Sequence, residues 1–348
     1  MNQKIKKKFS STTKKLVIFI CSFTILISCS RIPSDKFRWE AGISAPKYYL
    51  IGGAKVDLEY AGYGTLANID NGWGDNYGGI VSGDKYKDLP KSAHIEYGSA
   101  AENLIYEGTV ALPYNKILAL FKQYCRDKEN DQGELVVGMA PGGWIRVWFE
   151  TSIGYVNEGT GKNIQIEVAK AQLKGKQDFT INPEFTNKSE PYWDKYKTYW
   201  QYFGIPFEVW AENEKEYDIY FNLSKPNPTH RVFAGYSSLD GTSYVGDYHN
   251  MKSIGKLPAD LVISWNSKND TLGFDTHILL PKNFRRFVKL KKTKSVEIVL
   301  EIEKNGQFGV LYLIVNKNKE KILRFKSEIA NNYSLGNSNI CKNVQYFI

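Results

Sequence analysis

An internal repeat constrains this fold more than anything else in the sequence. The stretch LPKSAHIEYGSAAENLIYEGTVALPYN, Leu89 to Asn115, returns 168 positions later and without a gap as LPADLVISWNSKNDTLGFDTHILLPKN, Leu257 to Asn283. Ile95 aligns with Ile263, Tyr97 with Trp265, Leu104 with Leu272, Tyr106 with Phe274, Glu107 with Asp275, and Leu112-Pro113 with Leu280-Pro281. Similarity at a fixed offset marks one supersecondary unit used twice. Weaker echoes extend it: YAGYG at 60–64 against FAGYS at 233–237, and ELVVGMAPGGWIRVWFE from Glu134 against VEIVLEIEKNGQFGVLYLIV from Val296. The chain is therefore expected to hold two related domains, 37–181 and 201–348. Residues 182–200 are the expected linker, broken by Asn182-Pro183 and Pro191, with its aromatic end (Tyr192, Trp193, Tyr196, Tyr199, Trp200) packed.

Each unit has the same expected order of elements. Ile95 and Tyr97 alternate with polar neighbours, as do Leu104, Tyr106 and Val110, which predicts a half-buried hairpin. Pro113 then suits a helix start, where the first turn leaves an N–H unbonded in any case. Ile117, Phe121, Tyr124 and Cys125 follow at three- and four-residue spacing, the mark of an amphipathic helix. The second copy keeps Pro281 but reaches a lysine-rich stretch after Phe284, Phe287 and Val288, so its helix is expected to be shorter. Two further strands follow each helix around a glycine-containing turn. The predicted class is α+β: two tandem β-rich domains, mainly antiparallel, with about one helix each.

The amino terminus carries a different message. Six lysines precede an apolar run from Leu16 to Ile27, which ends in Leu26-Ile27-Ser28-Cys29. Basic segment, short apolar segment and small residue before a cysteine together resemble bacterial lipoprotein precursors. The resemblance implies a signal peptide over 1–28, cleavage between Ser28 and Cys29, lipid on the Cys29 thiol and a tether over 29–36. The run is short for a membrane-spanning helix, which needs about 20 apolar residues, whereas more than one acyl chain suffices for stable attachment. Ser30, where an aspartate would retain such a protein at the inner membrane, points to the outer membrane. Of the formal charge of +9, six charges lie in residues 1–28, leaving +3. That balance excludes a nucleic-acid footprint as the expected role.

The segment Trp39-Glu40-Ala41-Gly42-Ile43-Ser44-Ala45-Pro46, the Leu-Pro-bounded hairpin, and Val137-Gly138-Met139-Ala140-Pro141-Gly142-Gly143 through Val147-Trp148 resemble the bacterial lipoproteins grouped as domain of unknown function 2931. The likeness spans roughly residues 37–175, and the second copy lacks the Ala-Pro-Gly-Gly core. The resemblance singles out Trp39, Pro46, Gly138, Pro141, Gly142, Gly143 and Trp148 as motif residues without an assigned role. Some such lipoproteins lie beside genes for secreted effectors, which implies immunity or accessory work against a toxin.

Signatures of chemistry are weak. The Ala140–Gly143 turn runs into a strand and lacks the Lys-Ser/Thr of a phosphate loop. Asp70 and Asp75 lack the ligand spacing of a calcium loop. His94, His230, His249 and His277 form no zinc pattern, so neither metal nor cofactor is expected. His249, beside Asp247 and Tyr248, is the most site-like of the four. Glu107 and Asp275 are equivalent positions predicted to face solvent. Cys125 and Cys341, the cysteines left beyond the lipobox, leave a disulfide open. A non-enzymatic protein-binding lipoprotein is the leading expectation, with a secreted effector as partner. The alternative is a glycan-binding or glycan-processing protein that stacks sugars on tryptophans such as Trp73 and Trp193.

Overall fold

The computed structural model describes residues 35–78, 83–153, 162–176, 188–224, 232–247, 252–266, 273–304, 306–330 and 339–348. The first half runs β1 (Trp39–Ser44), β2 (Ile51–Asp57), β3 (Gly62–Gly64), β4 (Ser92–Ser99), β5 (Leu104–Ala111), α1 (Tyr114–Tyr124), β6 (Gly133–Ala140), β7 (Trp144–Ile153), β8 (Lys162–Gln172) and β9 (Gly175–Lys176). Two helices follow, α2 (Asp194–Phe203) and α3 (Phe207–Ala211). The second half runs β10 (Glu216–Leu223), β11 (Val232–Ser238), β12 (Ser243–Asp247), β13 (Lys252–Lys256), β14 (Pro258–Asn266) and β15 (Gly273–Leu279). It ends with α4 (Phe284–Leu290), β16 (Ser295–Ile302), β17 (Phe308–Val315), β18 (Asn318–Lys326), β19 (Glu328–Ala330) and β20 (Val344–Tyr346). The protein is α+β and β-rich.

The two halves share one topology. Sheet order β1-β6-β7-β8 is matched by β10-β16-β17-β18, and β3-β2-β4-β5-β9 by β12-β11-β14-β15-β19. Even the cross-strand register repeats: Glu96 faces Glu107 in the first hairpin, and Ser264 faces Asp275 at the equivalent position. Among the described strands each half contains one parallel pair, β1 with β6 and β10 with β16, which the hairpin pattern does not indicate. The second half adds β13 against β10 and β20 against β18, both at sheet edges.

In each half the two sheets and the helix enclose a separate core. Trp39, Ile95, Tyr97, Phe121 and Phe149 are central to the first, and Trp265, Phe221, Phe284 and Leu311 to the second. Helix α1 buries Ile117, Leu120 and Phe121 against the sheets, whereas α4 is seven residues long and buries Phe284 and Val288. Cys125 caps the end of α1 inside the first core, while Cys341 packs against the second with its Sγ 3.3 Å from the Lys326 carbonyl. Both are free thiols.

The expected linker is a structural element in its own right. Residues 182–187 lie outside the described residues, but Pro191–Trp193 forms a tight turn that leads straight into α2. Tyr196, Tyr199, Trp200 and Phe203 recur at helical spacing, and Trp193, Tyr196 and Tyr199 are buried. Gly204 then ends the helix. Together with Tyr48, Tyr49, Trp73, Trp148 and Trp210, these residues form a third apolar cluster between the halves. A segment with this much aromatic area to bury packs as core and does not act as a spacer.

Candidate functional site

The cluster between the halves has a polar centre. Tyr48 Oη lies 2.8 Å from Asp260 Oδ2 and 3.2 Å from His277 Nε2, and His277 Nε2 lies 2.8 Å from the same carboxylate oxygen. Asp260 Oδ1 accepts the Ser237 amide at 3.1 Å. All four residues are buried. An ionised carboxylate only accepts, so Tyr48 O–H and His277 Nε2–H are the donors to it. Burial, followed by the Asp260 charge, pushes the Tyr48 hydroxyl well above its ordinary value, so it stays a donor. Its ring lies between those of Tyr199, stacked at 4.3 Å, and His277 at 5.5 Å.

Both halves supply parts of this centre, and local geometry explains how. Asp260 on β14 and His277 on β15 are diagonal neighbours, because Val262 is the residue directly opposite His277. The equivalent positions of the first hairpin hold Ser92 and Thr109. Tyr48 reaches across from the loop after β1 with φ at +66°, a left-handed conformation that is uncommon outside glycine. That loop is held by the turn between β11 and β12: Gly241 O accepts the amides of Lys47 at 3.0 Å and Trp73 at 2.9 Å. Trp210 secures the other side, donating Nε1–H to Asp240 O at 3.0 Å and accepting from Arg146 at 2.9 Å. With Asp260 bonded by Tyr48, His277 and the Ser237 amide, the arrangement ties residues of the two halves together.

An open cleft of about 340 Å³ borders this centre. Its walls include Lys47, Lys195, Tyr48, Tyr244, Val245 and Val262. Lys47 lies 3.4 Å from Asp70, whereas Lys195 makes no ion pair among the described residues and sits over the Tyr196 ring at 4.9 Å. Burial holds the Lys195 ammonium below the usual lysine range, opposed by Asp70 and reinforced by Lys47.

A second, larger cleft of about 870 Å³ lies on the first half alone. Glu40 faces Glu134 across β1 and β6, Glu134 faces Glu150 across β6 and β7, and Gln165 on β8 completes the row. Like charges directly opposite one another destabilise a sheet. Burial pushes Glu150 up to about 7 and Asp75 up to about 6 and raises Glu134 as well, with the charges of Glu134 and Asp75 adding to the rise at Glu150. Asn76 bonds Glu134, and Gln165 bonds Glu150 at 2.8 Å. Among the described residues no group of three His, Cys, Asp or Glu side chains is arranged to hold a metal.

The motif residues lie at packed and turn positions. Trp39 is fully buried and donates to Asp88 O at 3.1 Å. Pro46 abuts Gly241, and Gly138 lies against the rings of Trp148 and Trp73, which meet edge to face at 5.2 Å. Pro141, Gly142 and Gly143 form a single tight turn from β6 to β7. Gly143 there has φ at +74° and accepts the Leu173 amide at 2.8 Å, and the Gly142 amide reaches Glu102 at 3.0 Å. Phe207 of α3 packs over Gly142. Glu107 faces solvent with Lys176 at 2.7 Å, and Asp275 accepts from Ser264 at 2.7 Å, so the equivalent carboxylates do not meet. Trp73 and Trp193 are buried and offer no face for a sugar. Ser28, Cys29, His230, Tyr248 and His249 lie outside the described residues. Sequence reasoning passed over Tyr48 and Asp260 and met His277 only as one of four histidines without a zinc pattern. The one signal available was the change from Ser92 and Thr109 to Asp260 and His277 at equivalent repeat positions.

No curated protein and no solved structure matches the chain. The family described as "Protein of unknown function (DUF2931)" matches residues 27–208, just over half of the 348 residues. The match takes in the whole first half, with its Trp39–Pro46 and Ala140–Gly143 motifs, together with α2. The chain belongs to the DUF2931 family.

Proposed function

We propose that this protein is a lipid-anchored lipoprotein of the bacterial envelope, held at the outer membrane through Cys29, which works by binding a protein, as an immunity or accessory factor to a secreted effector. The observation that carries the reading is the lipobox Leu26-Ile27-Ser28-Cys29, set only ten residues ahead of β1. An extended chain spans at most about 3.5 Å per residue, so such a tether keeps the body within roughly 35 Å of the lipid. No helix among the described residues is long and apolar enough to cross a membrane.

The partner surface in this reading is the edge that the second half adds to the shared scaffold. Among the described residues strand β13 has no counterpart in the first half and pairs only with β10, and it exposes Ile254 at 70%. An edge strand with an apolar side chain is what a partner strand extends. Two experiments test the proposal. Metabolic labelling with a palmitate analogue is expected to mark the protein and to fail with Cys29→Ser. Cells lacking the gene are expected to die when challenged by siblings that carry the adjacent effector, with rescue by the wild-type gene and not by Ile254→Asp. Unchanged survival of the deletion strain overturns the immunity reading.

A further inference from the structure

The cleft beside Tyr48, Asp260 and His277 has features that neither the anchor nor a partner-binding edge requires. Lys195 is half-buried, and no carboxylate lies within ion-pair distance of it among the described residues. Lys47, close enough to act on it electrostatically, shares Asp70 Oδ2 with the Tyr48 amide and the Tyr196 hydroxyl, each at 3.4 Å. These are long contacts, outside the range of a strong charge-assisted hydrogen bond. Two lysines thus line one cavity, and the carboxylate paired with Lys47, Asp70, is loosely held. The carboxylate on the cleft wall, Asp260, already has Tyr48, His277 and the Ser237 amide as donors. Among the described residues neither lysine makes an ion pair with Asp260.

The rest of the wall has a different chemistry. Val262, Val245 and the Tyr244 ring supply apolar surface from β14 and β12, and Ser243 adds a hydroxyl. A volume of about 340 Å³ falls within the range of small-molecule sites, which favour junctions between structural units. The fold does not need these residues for its own sake, because the first hairpin builds the same strands with Ser92 and Thr109 where the second has Asp260 and His277. A tyrosine held at φ +66° on the cavity wall adds a strained residue of the kind that clusters at ligand sites.

We propose that this junction cleft binds a small organic anion, with its carboxylate or phosphate group between Lys47 and Lys195 and its apolar body over Val262 and Val245. The acid group accepts charge-assisted hydrogen bonds from the two ammonium groups, and the apolar body covers the valines. Binding needs both halves of the chain, since Lys47 and Tyr48 come from one and the valines from the other.

Calorimetric titration of the whole mature chain, kept free of lipid by Cys29→Ser, decides the matter with four probes: octanoate, phenyl phosphate, 1-octanol and inorganic phosphate. A single saturable site for octanoate, for phenyl phosphate or for both is expected, and which of them binds identifies the acid group. Weaker binding of 1-octanol and of inorganic phosphate is expected, because each lacks one half of the recognition. Lys195→Gln should weaken the anion about tenfold while leaving the melting temperature unchanged, and Val262→Ser should weaken it with the same melting control. Absence of saturable binding by both organic anions, equal affinity for inorganic phosphate, or an unaltered affinity in Lys195→Gln overturns the proposal. None of these outcomes bears on lipid labelling or survival, so this inference stands or falls apart from the immunity reading.

Discussion

A single glycine decides how the two halves meet. Gly241 has φ at +82°, and a Cβ placed on it would come within 2.5 Å of both the Lys47 amide nitrogen and Pro46 Cβ. Its carbonyl is also the acceptor for two amides of the other half. Alanine there suffers the left-handed strain, pushes the Pro46 loop away and leaves buried N–H groups short of a partner. Gly241→Ala is expected to cost about 2–4 kcal/mol, read as a lower urea midpoint with an unchanged slope. A shift below about 0.5 kcal/mol would mean that the turn does not carry the contact. Nothing in the local sequence separates this glycine from others in turns, because its constraint comes from Pro46 and Lys47, which sit on the opposite half.

At the level of the sheet, the carboxylate row across β1, β6 and β7 sets a pH dependence. Glu150, about 4.5 when unfolded and about 7 in the fold, holds a proton over that interval in the folded state alone. The folded state binds more protons there, so stability is fullest below about pH 4.5 and is lost as pH rises to about 7. Asp75 acts in the same sense between its ordinary value of 3.8 and about 6. Glu150→Gln is expected to raise stability at pH 7.5 by about 1–2 kcal/mol and to flatten the decline between pH 5 and 7, measured by urea unfolding at each pH. A decline as steep as in the wild type would place its origin elsewhere. Elements of this kind were only partly legible in the sequence. The hairpins, the helix after each Leu-Pro and the shorter second helix all followed from local periodicity, whereas the parallel pairing of β1 with β6 brings Trp39 beside Gly133. Long-range pairing of that sort leaves no mark in a short window, so neither the row of glutamates nor the larger cleft could be read in advance.

For the molecule as a whole, the question is whether two copies of one fold behave as two bodies. The repeat suggested separate domains on a linker, but Tyr48 contacts residues 212 and 229 positions away, and the segment between the halves is buried aromatic core. The candidate site was illegible for the same reason: Asp260 and His277 can be placed on adjacent strands from the repeat, yet what buries them arrives from the far half. Trp210 concentrates this coupling. It is fully buried, meets Tyr49 edge to face at 5.0 Å, bonds Asp240 of the second half and is bonded by Arg146 of the first. Removing an aromatic side chain from such a position costs about 3–5 kcal/mol, and here the loss falls on the contact between the halves more than on either core. The wild-type chain is therefore expected to unfold in one cooperative transition, with tryptophan fluorescence and far-ultraviolet circular dichroism coinciding. Trp210→Ala should separate it into two, the less stable half melting first while its neighbour keeps its own sheets. Two transitions already present in the wild type would show that the aromatic cluster joins the halves without coupling them, and the cleft at their junction would then open whenever the weaker half unfolds.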